Sequence, residues 1–172
     1  MKKSNVYMVI LLVFLITILL FITNFKKEDD KTPEVEKNKI LLLSDYNDFF
    51  TVNSSIYKYI SYLQKKDYDS ILKILDTSYK SSNNITLENV VNFVENLEGN
   101  HSFSSKKIYY EVIDDNIIKY YVYGYLSKDT IDGYSERLDR YYIVIFNTED
   151  KIFSIIPSNE IEFKEVTNEQ NW

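Results

Sequence analysis

The sequence contains few side chains with the types and spacing of catalytic machinery. His101 is the only histidine among 172 residues, and its neighbours Asn100 and Ser102 are typical of a turn. General acid–base catalysis and metal binding ordinarily place a histidine beside further ionisable or ligating groups. The pattern therefore favours a loop or surface histidine, and we predict no catalytic residue, no metal ligand and no cofactor.

Other candidate groups have equally ordinary interpretations. Asp114 and Asp115 are adjacent, and adjacent residues of a strand point to opposite faces, whereas in a turn they cap backbone groups. The three serine pairs, at 54–55, 81–82 and 104–105, lack a G-x-S-x-G context. The chain has only three glycines, too few for the usual phosphate-binding loop. We therefore predict that the protein is not an enzyme.

Tyrosine is the unusual feature of the composition, with 16 tyrosines against one tryptophan. Five of them fall on predicted strands where they can share one face of a sheet: Tyr109, Tyr121, Tyr123, Tyr125 and Tyr141. In one interpretation they form a core and rim, with packed rings and hydrated hydroxyls. In another they form an interaction or pocket face for a protein or an apolar ligand, because tyrosine is enriched at interfaces. A tyrosine acid–base catalyst is the third alternative.

The segment that precedes the predicted strands shows helical periodicity, and its helices must help to position these tyrosines. Residues 40–65 place Phe49, Ile56, Ile60 and Leu63 on one face of a long helix. In YISYLQKKDYDSILKILDTSYK, residues 59–80, that helix ends at a polar corner. Asp67 is a good N-cap for a second helix. A third helix is predicted from Thr86 to the end of the apolar stripe near residue 97.

The pattern then changes to alternation. Strands are predicted over residues 107–113, 117–126, 138–146 and 152–156, and their short links predict an antiparallel meander. Ile161 and Phe163 can extend the last strand. The predicted fold class is α+β: an N-terminal transmembrane helix, then three helices packed on a curved antiparallel four-stranded sheet.

The N-terminal segment is apolar enough to serve as a membrane anchor. Residues 6–25 carry no charge, and about 20 apolar residues span a bilayer core. No A-x-A-like cleavage site follows, and there is no cysteine for a lipoprotein anchor. The predicted organisation is a cytoplasmic tip and anchor (1–25), a charged linker (26–43), an α+β domain (44–163) and a polar tail (164–172). The short N-terminal tail favours a single-pass cell-membrane protein with its C-terminal domain outside the cytoplasm.

The charge of the chain limits its partners. The net charge of −6 argues against general binding of nucleic-acid phosphates, which need lysine and arginine. The absence of cysteine rules out disulfides, so the domain depends on its hydrophobic core. We therefore predict no nucleic-acid partner.

The order of elements resembles the nuclear-transport-factor-2-like (cystatin-like) superfamily over residues 45–157. The resemblance rests on YISYLQKKDYDSILKILDTSYK, with its K-D-Y corner, followed by a helix and a predicted sheet. It implies that the long helix lies in the concavity of the sheet. The layout with one N-terminal membrane helix is similar to that of the bitopic scaffold subunits of type IV secretion systems and their Gram-positive conjugation relatives.

These observations lead to one leading functional expectation and two alternatives. The leading one is a membrane-anchored extracytoplasmic interaction module, a structural or accessory subunit of a bacterial envelope assembly such as a conjugation or secretion apparatus. Its partners would be the membrane, through residues 6–25, and an envelope protein; a homo-oligomer is left open. One alternative is a sensor that binds a small ligand in the cone between the long helix and the sheet. The other is a hydrolase or isomerase, which would need ionisable groups converging in a buried cleft.

Overall fold

The structure, a computed structural model, describes residues 38–129 and 135–168. It contains four α-helices, one short 3-10 helix and five strands. In chain order these are β1 (Leu41–Leu42), α1 (Tyr46–Lys65), α2 (Tyr68–Ile74), α3 (Thr77–Ser82), the 3-10 helix (Val90–Asn92), β2 (His101–Val112), β3 (Ile117–Asp129), β4 (Ser135–Asn147), β5 (Ile152–Ser158) and α4 (Glu160–Thr167).

The helical corner predicted from residues 59–80 is confirmed. α1 ends at Lys65, and the capping residue Lys66 adopts the left-handed conformation. The Asp67 carboxylate then accepts a hydrogen bond from the Ser70 N–H at 3.1 Å, satisfying a donor at the start of α2. Asp76 caps α3 in the same way, accepting from the N–H of Ser78 and of Tyr79. Asp45 caps α1, so the first three of the four α-helices each begin at an aspartate.

The strands form one sheet in the order β1-β2-β3-β4-β5, with every neighbouring pair antiparallel. Strands β2 to β5 follow one another as the predicted meander. β1 adds a two-residue edge, in which Leu41 pairs with Tyr110 and Leu42 with Tyr109. The longest pairings, β2 with β3 and β3 with β4, form the centre of the sheet.

The two faces of the sheet are covered differently. On one face α1 and α2 bury the main core, whose largest fully buried side chains are Tyr59, Tyr120, Tyr142, Phe103, Ile56, Leu63 and Ile71. On the opposite face a smaller cluster forms around Tyr121, Ile143 and Phe163. Phe163 belongs to α4, so this short helix covers part of the second face.

The predicted fold class is wrong in its counts of strands and helices. The sheet has five strands, not four, because residues 41–42 form an edge strand where a helix was predicted to begin. Phe49, predicted to lie on the buried face of the long helix, is 41% exposed, whereas Val52 and Tyr59 are buried. The described residues form four α-helices, and the third and fourth are not where a helix was predicted.

The third predicted helix is replaced by a turn. Only Val90–Asn92 is helical in this segment, and it is a 3-10 helix. The Asn89 side chain accepts from the Thr86 N–H at 2.7 Å and donates to the Asn84 carbonyl at 3.0 Å. Such local bonds compete with the helix, and the β-branched and asparagine residues here are weak helix formers.

The expected extension of the last strand by Ile161 and Phe163 is also wrong. Asn159 accepts from the Glu162 N–H at 3.0 Å and begins α4, and Glu160 and Glu162 in its first turn favour the positive end of the helix dipole. Alternation of apolar and acidic residues predicted a strand here. In the helix Ile161 instead faces solvent and Phe163 is buried.

The predicted membrane-spanning helix at residues 6–25 lies outside the described residues. Within residues 38–129 and 135–168, no helix is both long enough and apolar enough to cross a membrane. The first described residues belong to the stretch predicted as the charged linker.

Candidate functional site

The five predicted tyrosines lie on the face of the sheet that is opposite α1. Tyr109 pairs with Tyr121 across β2 and β3, and Tyr123 pairs with Tyr141 across β3 and β4. Tyr125 is two residues beyond Tyr123 and therefore shares its face. The alternate residues of β3, Tyr120 and Val122, point the other way, into the main core.

Phe163 of α4 is the centre of this second aromatic cluster. Its ring centroid lies 5.4 Å from that of Tyr141, 6.0 Å from Tyr109 and 6.2 Å from Tyr123. These tilted and edge-to-face contacts are the arrangements that aromatic pairs prefer. Because Phe163 is 3% exposed, it holds α4 on the sheet.

Beside α4 the same face contains a groove of about 570 Å³, which we call the tyrosine groove. It is lined by Lys106, Lys107, Tyr123, Tyr125, Asp139, Tyr141, Glu160 and Lys164. The volume is within the range of small-molecule and peptide pockets, roughly 300–1,000 Å³. Its floor is aromatic and its walls are charged.

Two consecutive lysines reach the groove because β2 is irregular at this point. Ser105 pairs with Gly124 and Lys107 pairs with Tyr123, so Lys106 is an extra residue without a partner position on β3. Such a bulge redirects side chains that would otherwise alternate between the two faces. Lys106 and Lys107 therefore both line the groove, although adjacent residues of a regular strand would point apart.

Gly124 lies opposite the bulge, where the backbone and a buried ring leave no room for a side chain. A Cβ atom at this position would lie 2.5 Å from the Ser104 carbonyl oxygen and 2.5 Å from Cζ of Phe103. The absence of a side chain lets β2 and the Phe103 ring approach β3 closely. Gly124 thus supports both the main core and the bulge that presents Lys106.

Tyr125 lies between cationic side chains from the two flanking strands. Lys106 Nζ is 4.8 Å and Arg137 Cζ is 5.0 Å from the centroid of its ring, both within cation–π distance. Hydrogen bonding to Lys106 and to Ser104, together with the charges of Lys106 and Arg137, lowers the pKa of the Tyr125 hydroxyl. This corner of the groove is therefore electropositive.

The two carboxylates of the groove already have partners. Asp139 accepts a hydrogen bond from the Tyr123 hydroxyl at 3.3 Å. Glu160 forms an ion pair of 2.7 Å with Lys164, one helical turn away. Neither carboxylate forms an ion pair with Lys106 or Arg137, nor does any other carboxylate whose side chain the structure describes. Lys106 in the groove, and Arg137 at the rim beside Tyr125, therefore have no carboxylate partner among the side chains that the structure describes.

The neighbouring tyrosines are held neutral by their surroundings. Burial, and then the charge of Glu160, raises the pKa of Tyr141 to about 12. Burial and the adjacent Asp139 also raise the pKa of Tyr123. The pKa of Tyr125 is therefore shifted in the opposite direction from those of Tyr123 and Tyr141.

The predicted tyrosine face contains two kinds of residue. Tyr123, Tyr125 and Tyr141 line the groove. Tyr109 packs against Phe163, and Tyr121 is buried with its hydroxyl donating to Glu111 Oε2 at 2.9 Å. The sequence analysis missed Lys106 and Arg137 because the predicted strands began one residue later, at 107 and 138, whereas the observed strands begin at His101 and Ser135. It missed Lys164 because no helix was predicted there.

The space between α1 and the sheet, where the sensor alternative places its ligand, is occupied by large side chains. Tyr142 lies at its centre, with ring centroids 5.9 Å from Tyr59 and 5.6 Å from Phe103. All three residues are at most 2% exposed. The resemblance implied a cone at this position, and the cone contains packed aromatic rings.

His101 lies away from the tyrosine groove. It begins β2 and lines a polar groove of about 390 Å³ with Glu95, Lys128, Glu136 and Arg140 among others. Arg140 donates to Glu95 at 2.6 Å, and His101 Nδ1 is 3.2 Å from the Gly99 carbonyl. The groove is lined partly by exposed side chains, including Glu136. Across the described part of the chain, no three or more His, Asp or Glu residues are grouped to hold a metal ion.

Comparison of the chain with protein-family models, with curated proteins and with solved structures gives no match. The resemblance to the nuclear-transport-factor-2-like superfamily therefore stays a prediction from the sequence.

Proposed function

We propose that this chain is an interaction module that binds a protein partner through the tyrosine groove. One observation carries the proposal: Tyr123, Tyr125 and Tyr141 line a groove beside two cations, Lys106 and Arg137. Neither cation has a carboxylate partner among the side chains that the structure describes. Tyrosine and arginine are the residues enriched in the energetically important centres of protein interfaces. The groove lies on the face that α1 leaves uncovered.

The packing of the opposite face favours this proposal over the small-ligand sensor. A sensor of the predicted type needs space between α1 and the sheet. Tyr59, Phe103 and Tyr142 fill the centre of that region with rings in mutual contact. The tyrosine groove, by comparison, is open along the sheet surface and is bounded by α4.

The proposed location of the module comes from the sequence. The uncharged residues 6–25 would attach the chain to a membrane, with the C-terminal domain outside the cytoplasm. Within this proposal the protein is a structural or accessory subunit of a bacterial envelope assembly. A conjugation or secretion apparatus fits the similarity in layout to bitopic scaffold subunits.

The proposal is tested by site-specific cross-linking of the full-length protein in cells. A photoreactive residue replaces Tyr125 in the groove or, as the matched control, Tyr46 on the outer surface of α1, which is 79% exposed. We expect one or two envelope proteins to be captured from position 125 and not from position 46. Capture of the same proteins from both positions, or of none from position 125, would contradict the proposal.

A further inference from the structure

We propose that the ligand of the tyrosine groove is an extended acidic segment of a partner protein, whose carboxylates are bound by Lys106 and Arg137. This inference rests on the proposed function and adds the chemistry of the partner. It depends on the charges around Tyr125, the size and lining of the groove, and the net charge of the chain.

The charge of the groove is opposite in sign to the net charge of the chain. The protein carries a formal net charge of −6, yet the described residues of the groove and its rim include four cations and two carboxylates. The cations are Lys106, Lys107, Arg137 and Lys164, and the carboxylates are Asp139 and Glu160. A cationic site attracts anionic ligands even when the protein that carries it has a net negative charge.

Lys106 and Arg137 form no ion pair with the carboxylates that the structure describes. Lys164 is paired with Glu160 at 2.7 Å, whereas the contacts of Lys106 and Arg137 in the described chain are with the Tyr125 side chain. Both cationic groups lie within 5.0 Å of the centroid of the same ring. Two cations directed at one position bind carboxylates by charge-assisted hydrogen bonds.

The remainder of the groove indicates that the ligand is larger than a single anion. A volume of about 570 Å³ exceeds that of one carboxylate or phosphate group, and its floor is formed by Tyr123 and Tyr141. These rings offer apolar surface and hydroxyl groups beside the cationic corner. A chain with apolar side chains between its carboxylates satisfies both parts of the site.

The test uses the full-length protein in detergent micelles and three fluorescent twelve-residue peptides. The peptides share the pattern X-Val-X-Thr, repeated three times, with X as Glu, Gln or Lys. We expect the Glu peptide to bind at least tenfold more tightly than the Gln peptide, and its affinity to fall as salt is raised.

Lys106→Gln and Arg137→Gln should each weaken binding of the Glu peptide by about two- to fivefold, the range of exposed ion pairs. Lys73→Gln, an exposed lysine on α2, is the matched control and should change nothing.

The outcomes separate this inference from the proposed function. Equal binding of the Glu and Gln peptides, or an affinity unaffected by both groove substitutions, would overturn the acidic ligand. Binding of inorganic phosphate with no preference among the peptides would overturn it too, as would binding of no peptide. In each case cross-linking from position 125 decides independently whether the groove binds a protein.

Discussion

Tyr123 and Tyr141 stack directly across β3 and β4, with ring centroids 5.1 Å apart and ring planes inclined by 20°. Phe163 of α4 contacts both rings. The stacked pair is therefore at once the floor of the tyrosine groove and the surface on which α4 rests. Changes in the docking of α4 and changes in the groove are coupled through these three rings.

Phe163→Ala should release α4 from the sheet. Removing a buried phenylalanine side chain typically costs about 3–5 kcal/mol in the free energy of unfolding, and the upper end is not expected here because α4 is peripheral. Hydrogen exchange should accelerate in Glu160–Thr167 while the exchange of α1 stays unchanged. Phe163→Leu, which retains apolar contact, is the control and should lose much less. Unchanged exchange of α4 in Phe163→Ala would show that Phe163 does not hold this helix.

Gly124→Ala should destabilise the domain by about 1–3 kcal/mol, the usual cost of overpacking. The new Cβ would lie 2.5 Å from the Ser104 carbonyl oxygen, so β2 must shift at the bulge. Chemical denaturation measures the loss, with Ser102→Ala at an exposed position of β2 as the control. Equal stability of the two variants would mean that the close approach at Gly124 is easily relaxed.

Tyr59 and Tyr142 provide a matched pair of hydroxyl deletions in the main core. The Tyr59 hydroxyl is buried and has no hydrogen-bond partner among the described residues, whereas the Tyr142 hydroxyl donates to Glu95 Oε1 at 3.3 Å. Tyr59→Phe should be neutral or stabilising, because it removes an unsatisfied polar group. Tyr142→Phe should cost about 1 kcal/mol. Thermal and chemical denaturation of both variants would test this order, and a larger loss in Tyr59→Phe would reverse it.

Alkaline pH should weaken the domain partly through Tyr141. Its pKa is raised to about 12 by burial and by Glu160, above the value of about 10 expected in the unfolded chain. The neutral hydroxyl is therefore favoured in the folded state. Its contribution to stability is fully present below pH 10 and is lost as pH rises towards 12. Denaturation between pH 9 and 12 should show a shallower decline in Tyr141→Phe than in the native chain.

Tyr125 should ionise before the other groove tyrosines, because Lys106 and Arg137 lower its pKa while those of Tyr123 and Tyr141 are raised. Absorbance near 295 nm, followed during alkaline titration, should lose its earliest component in Tyr125→Phe. In Lys106→Gln that component should move to higher pH. An identical early component in all three proteins would place the first ionisation elsewhere.

The sequence predicts the helical corner and the four longer strands because their signals are local. Asp67 directly precedes α2 and caps it. The alternation of side chains along β3 fixes which tyrosines of that strand share a face. The placement of Tyr123, Tyr125 and Tyr141 on one face could therefore be predicted. β1 could not, because its two residues acquire a strand conformation only by pairing with Tyr109 and Tyr110.

The cationic part of the site depends on contacts that local patterns do not specify. Lys106 reaches the groove through a bulge that is fixed by the register with Gly124 on another strand. Arg137 meets Tyr125 only once β3 and β4 are paired. The wall formed by α4 was missed because acidic and apolar residues alternate around Ile161 and Phe163, which resembles a strand, while the N-cap at Asn159 favours a helix.

The most direct test of the account is hydrogen exchange of the full-length protein with and without the protein captured from position 125. We predict slower exchange in Glu160–Thr167 and around the bulge at residues 105–107, since both border the tyrosine groove, and no change in α1, Tyr46–Lys65. Slower exchange confined to α1 and α2, with α4 and the bulge unaffected, would place the partner on the opposite side of the sheet and contradict the groove as the binding site.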